Sequence, residues 1–221
     1  MGKTALLCGM VHDMPSDWCI ALLGDVTEQW EDPYRAIARC RAAELGVLRA
    51  ANAIEIQGNH DPRPMLTGVP ALVYTIPGLI AEHGHLADPT QDGFAALASR
   101  ICGVAERWGI PTARWWNKVL REGWMRKTLI GRYSDYNGES DSPYTTYARE
   151  RCKWGGAHCF VFGHTQRMGC WQIGHATIIN TGSWVDDRAD VTVLAGHGCY
   201  QGQARDFGAI VDAVEDELDL G

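Results

Sequence analysis

The sequence has no long apolar run, no closely spaced cysteine pair and no surplus of positive charge, and each absence removes a class of protein. A helix that crosses a bilayer needs about 20 consecutive apolar residues, and no run here approaches that. Met1-Gly2-Lys3-Thr4 leads into too little apolar sequence for a secretory signal, so a soluble, cytoplasmic protein without a transmembrane segment is expected. The eight cysteines, at 8, 19, 40, 102, 152, 159, 170 and 199, never fall in a C-x-x-C spacing. That argues against a zinc knuckle or disulfide frame and for reduced, buried thiols. Lys and Arg number 20 against 27 Asp and Glu, a formal net charge of -7. Nucleic-acid affinity rests largely on neutralising phosphates with Lys and Arg, so a nucleic-acid partner is disfavoured.

What is present points to chemistry at strand ends. A chain of 221 residues, 46% hydrophobic and 21% charged, suits one globular domain over residues 1–221 with a substantial core. Four of its apolar runs end in the same kinds of residue. Cys19-Ile20-Ala21-Leu22-Leu23 ends in Gly24-Asp25, with Glu28 following. Ala53-Ile54-Glu55-Ile56 precedes Gly58-Asn59-His60-Asp61, and Pro62 then blocks simple continuation of strand or helix. Leu79-Ile80-Ala81-Glu82 ends in His83-Gly84-His85, and His158-Cys159-Phe160-Val161-Phe162 ends in Gly163-His164. Buried parallel strands read as short apolar runs, and α/β sheets bind ligands at the strands' carboxyl ends. Each cluster alone also fits a plain turn: Gly-Asn is turn chemistry, Asp25 suits a cap, and His60-Asp61 suits a surface pair. Their recurrence favours a hard-cation site assembled from separate strand tips.

In this order the motifs Gly24-Asp25-Val26-Thr27-Glu28, Gly58-Asn59-His60-Asp61, His83-Gly84-His85 and Gly163-His164-Thr165-Gln166 resemble the calcineurin-like metallophosphoesterase family. Asn180-Thr181-Gly182-Ser183-Trp184 is similar to the strand-end segment that often follows the family's last motif. The resemblance spans roughly residues 5 to 190 and implies an α/β fold: a metallophosphoesterase-type β-sandwich flanked by helices. It implies metal ligands at Asp25, Asn59, His83 and His164, with Asp25 as the bridging carboxylate. It also implies catalytic roles for His60, near the leaving group, and for Asp61, which orients the His60 ring. Glu28 either supports the site or caps a helix, and His85 faces either the pocket or solvent. Gln166 stands where the family has a histidine. The cofactor implied is divalent metal, up to two ions per site, with Mn2+ first and Mg2+, Fe2+ or Zn2+ as alternatives.

Two departures accompany the resemblance. No D-x-H precedes Asp25; the nearest candidate, Val11-His12-Asp13, has the wrong order and lies in a helix-like pattern. The chain is therefore expected to start beyond the family's first strand. Gln166 offers a carbonyl where imidazole is usual, a weaker ligand for transition metals.

Elsewhere the pattern predicts a helix over residues 4 to 14, from Leu6, Leu7, Met10 and Val11, ended by Pro15-Ser16. Asp32-Pro33 predicts a helix start, with Ile37 to Leu48 forming one apolar face towards Ala51. This helix would cross over between parallel strands. Ala71–Tyr74, Leu79–Glu82, Trp171–Ile173, Ala176–Ile179, Val191–Ala195 and Cys199–Gln201 read as further strands. From about residue 90 to 155 the chain becomes helix-like and tryptophan-rich, a cap-like insert. Its expected helices lie between Phe94 and Trp108, around Trp116, Val119, Leu120 and Trp124, and from Ser142 to Trp154. The tryptophans would pack the insert on the core or contact an apolar part of a substrate. Arg126, Lys127 and Arg132 suit either a solvated face or contact with phosphate. The acidic run Asp212–Glu217 is expected to be a frayed end.

The expected function is metal-dependent hydrolysis of a phosphomonoester, phosphodiester or nucleotide-type pyrophosphate in a small phosphorylated substrate. The segment Gly24 to Trp30 and the insert are similar to the branch containing UDP-diacylglucosamine pyrophosphohydrolases. A catalytically impaired metal-binding module is the alternative, and a nuclease is disfavoured by the acidity. Nothing in the sequence sets an oligomeric state.

Overall fold

The computed structural model describes residues 3–25, 34–59, 65–66, 71–88, 104–105, 142–184, 188–196 and 198–219. Within them the chain is a mixed α/β structure. Helix α1 (Lys3–Asp13) precedes strand β1 (Ala21–Leu23); α2 (Tyr34–Cys40) and α3 (Ala42–Ala50) lead to β2 (Ile54–Ile56). Strands β3 (Val73–Ile76) and β4 (Leu79–Glu82) form a hairpin, and α4 (Pro143–Gly155) leads to β5 (Cys159–Phe162). Then come β6 (Gly169–Ile173), β7 (Ala176–Asn180), β8 (Asp190–Ala195), β9 (Gly198–Gln203) and α5 (Phe207–Asp219).

β1 and β2 pair in parallel, as a strand–helix–strand crossover requires, with Leu23 opposite Ile56. The five-stranded sheet has the order β3-β4-β5-β7-β6, with β4, β5 and β7 mutually parallel and the two outer strands antiparallel. β8 and β9 form a separate antiparallel pair.

Alternation along the strands separates two cores, because successive side chains point to opposite faces. Ile80, Phe160, Phe162 and Ile178 pack on one face with Tyr144, Ala148 and Cys152 of α4. Ala81, Val161 and Ile179 pack on the other with Leu23 and Ile56. The β1–β2 pair meets α1 and α3 on its far side through Leu7, Ile20, Leu48 and Ala53. The small sheet thus lies between helices and the larger sheet, and both sheets bring their carboxyl ends to one place.

α4 begins as its sequence predicts. Ser142 caps it by accepting from the Thr145 amide at 3.1 Å, Pro143 occupies its first turn, and Gly156 ends it in a left-handed conformation. Of the helix expected between Phe94 and Trp108, Val104 and Ala105 are described, and both are helical. The Trp116–Trp124 segment, Arg126, Lys127 and Arg132 lie outside the described residues.

Three expectations need correction. The helix after Pro33 is two helices, broken at Arg41, whose ψ of 19° departs from helical geometry. The acidic C-terminal run is not frayed: it belongs to α5, where Phe207, Val211 and Val214 are buried against Val193 of the β8–β9 pair. Those residues and Ile210 fall at i, i+3, i+4 and i+7, an amphipathic spacing that outweighs the acidic residues on the opposite face. Finally, the thiols among the described residues are free but not uniformly buried: Cys152 is, whereas Cys19, Cys40 and Cys170 are exposed.

Candidate metal centre

The parallel strands place their following residues side by side. Gly24-Asp25 follows β1, Gln57-Gly58-Asn59 follows β2, His83 follows β4, and Gly163-His164 follows β5. Neighbouring chain ends are stitched together: the Gly163 amide donates to the His83 carbonyl at 3.1 Å, and the Gln57 amide donates to Ala71 at 2.8 Å. The approach is close enough to demand glycine at position 24, where φ is +77° and a Cβ would lie 2.6 Å from His83 Nδ1 and 2.7 Å from the Gly58 Cα.

Backbone conformation marks the same place. Among the described residues, the non-glycine positions with positive φ are Asp25 (52°), Asn52 (52°), His164 (50°) and Gln166 (58°). Each such residue costs on the order of 1–2 kcal/mol. Three of the four belong to the strand-tip motifs, and strain of this kind persists where surrounding structure and function demand it.

Hydrogen bonding fixes the imidazoles. His83 Nδ1 lies 2.6 Å from the Leu23 carbonyl oxygen, which only accepts, so Nδ1 carries the proton. In the neutral ring Nε2 then presents a lone pair, and it sits 3.1 Å from Asn59 Oδ1, 3.1 Å from Asp25 Oδ2 and 3.0 Å from His164 Nδ1. His164 is fixed in the opposite sense: Nε2 donates to Asp88 Oδ2 at 2.9 Å, which leaves Nδ1 with its lone pair facing His83. His83 Nε2 therefore has three acceptor atoms within 3.1 Å among the described residues. A proton on His83 Nε2 would serve one of its three neighbours, whereas a cation serves all of them.

Asp25, His83 and His164 form a group suited to holding a metal ion, one ligand atom from each lying within 4.8 Å of the others. Asn59 Oδ1 extends the set, and one carboxylate, one amide oxygen and two imidazoles fit a borderline divalent ion. The His83 side chain is 2% exposed and that of Asp25 28%, so the group is anchored inside and open on one side.

His85 stands next to these ligands, its ring centroid 5.4 Å from that of His83 and 6.5 Å from that of His164. Burial, followed by the two neighbouring histidines, pushes its pKa down to about 4. Its Nδ1 and the Asn59 Nδ2 are buried without a hydrogen-bond partner among the described residues. His85 is thus half-buried beside His83 and His164. The Gln166 side chain is exposed, and its backbone carbonyl accepts from Arg188 Nη1 at 2.7 Å. Glu28, His60 and Asp61 lie outside the described residues.

Two participants escape the sequence reading. Asp88 holds His164 from the end of a short 3-10 turn, His85–Ala87, and its only sequence signal is an acid five residues after His83 and just before Pro89. Asn180, at the tip of β7, donates to the Thr165 hydroxyl at 2.5 Å and accepts from the Gly182 amide at 3.0 Å. It braces the His164 loop, and its place in the Asn180–Trp184 segment was the available clue. Compared with family models and with curated proteins, the chain matches none.

Proposed function

We propose that the protein is a metal-dependent phosphoesterase of the calcineurin-like metallophosphoesterase kind, hydrolysing a small phosphomonoester, phosphodiester or nucleotide-type pyrophosphate. The convergence of Asp25 Oδ2, Asn59 Oδ1, His83 Nε2 and His164 Nδ1 carries this reading. A divalent ion held there supplies Lewis acidity towards a phosphoryl oxygen and lowers the pKa of bound water. Asp25 would contribute negative charge through a carboxylate that is 28% exposed. Asn59 contributes a neutral oxygen, and His83 and His164 contribute imidazole nitrogens whose tautomers are set by Leu23 and Asp88. His85 stays neutral above about pH 4 and offers a polar face beside the ligands. On the motif resemblance, His60 donates the proton to the leaving group and Asp61 orients its ring. Mn2+ is the first candidate ion, because the set mixes oxygen with imidazole.

A second reading, a metal-binding module without catalysis, is favoured by one observation: Gln166 is exposed and sits where the family has imidazole. The two readings part on a single preparation. Protein purified without chelator is expected to carry metal by mass spectrometry and to hydrolyse bis(p-nitrophenyl) phosphate or its monoester with Mn2+. Asp25→Ala is expected to lose both metal and turnover, and His60→Ala to lose turnover alone, with folding retained. Metal without turnover in the wild-type chain selects the module, and unchanged turnover in both variants sinks the phosphoesterase.

A further inference from the structure

We infer that Asp88 is a positioning residue of the cation site, holding His164 in the tautomer and orientation that make Nδ1 a ligand; the inference rests on the metal-site reading above. The carboxylate and the imidazole meet at 2.9 Å, and both are sheltered, with side chains 11% and 12% exposed. In that setting the bond cannot be exchanged readily for water, so the carboxylate selects one ring nitrogen for the proton and leaves the other for the cation.

The backbone is arranged to deliver this carboxylate. After β4 the chain reverses at Gly84, with φ +100°, and makes one 3-10 turn over His85–Ala87, closed by Ala87 and Asp88 amides donating to Gly84 and His85 carbonyls at 3.0 and 3.1 Å. Asp88 thereby comes back to a residue 76 positions later in the chain. His83 lies just ahead of this turn, so the short segment His83–Asp88 supplies a ligand at its beginning and the orienting group for another ligand at its end.

A carboxylate that merely anchored the turn would not affect the electronic environment of a bound ion. The test therefore titrates Co2+ into the full chain, stripped with chelator, and follows visible absorption, with Mn2+ competition as a second measure. Asp88→Ala is expected to weaken binding about 10- to 100-fold and to shift the Co2+ spectrum at saturation. Asp88→Asn keeps an acceptor for His164 Nε2 but loses the charge, and is expected to fall between. Should Asp88→Ala not fold, Asp88→Asn decides: folded protein with unchanged affinity and spectrum overturns the inference. Unchanged affinity and spectrum in folded Asp88→Ala overturn it equally, while leaving the metal site intact. Failure of the wild-type chain to bind either ion overturns the metal-site reading and the inference together.

Discussion

Glu82 and His83 are neighbours in the chain, yet their surroundings are opposite in kind. Glu82 points to the α4 side, where its carboxylate is 2% exposed and surrounded by donors: Tyr147 gives its hydroxyl proton to Oε2 at 2.7 Å, and Arg151 Nε donates to Oε1 at 2.6 Å, with Arg151 Nη2 also in contact. His83 points to the other side, where among the described residues its Nε2 meets atoms that accept or are left with lone pairs. The first is a closed network, complete within the protein. Among the described residues the second shows no cationic side chain in contact with His83 Nε2, and Asp25, His83 and His164 form a group that could hold a metal ion: a buried polar cluster is stable only when each member has its complement.

The largest expected effect breaks the closed side. Arg151→Ala leaves the Glu82 carboxylate buried with Tyr147 as its remaining donor, and stability measured by urea unfolding is expected to fall by about 3–5 kcal/mol. Metal affinity of the molecules that remain folded is expected to stay near wild type, since no ligand contacts Arg151. The converse substitution, His83→Ala, removes a ligand and leaves the Glu82 network whole. Its signature is the loss of metal-dependent stabilisation: about 2.7 kcal/mol at a free ion concentration of 100 times Kd in the wild type, and none in the variant. A variant of either side that damaged both properties equally would show that the two networks are not separable.

The open side was legible in the sequence, and the closed side was not. Asp25, Asn59, His83 and His164 each follow an apolar run within three residues, so a local pattern pointed to them, and the parallel pairing of β1 with β2 and of β4 with β5 brought the tips together. Glu82 looked like the last residue of a strand, because its partners lie 65 and 69 residues later on a helix whose register against the sheet no local pattern sets. Asp88 was hidden for the same reason. Glu55 is a third case: a buried carboxylate inside an apolar strand, accepting from the Met65 amide at 2.8–2.9 Å and the Leu66 amide at 2.7 Å. In α5 the misreading was one of weight. Counting acids suggested a solvated tail, whereas the spacing of Phe207, Val211 and Val214 set which face would be buried.

The smallest effect sharpens the comparison furthest. Tyr147→Phe removes one hydroxyl from the closed network and keeps the ring packed edge-on to Phe160, at a centroid distance of 6.0 Å. Burial and the Glu82 hydrogen bond raise the Tyr147 pKa above that of an ordinary tyrosine, so the hydroxyl remains a donor across the working pH range. Removing it should cost about 1.5 kcal/mol, the low end of the net value of a hydrogen bond to a charged acceptor. Arg151 continues to neutralise Glu82, which is why the loss should stay well below that of Arg151→Ala. Denaturant midpoints of the two single variants and the double variant measure this directly. If Tyr147→Phe cost as much as Arg151→Ala, charge compensation would not be what makes the Glu82 side complete, and the contrast with the three acceptors around His83 Nε2 would lose its physical basis.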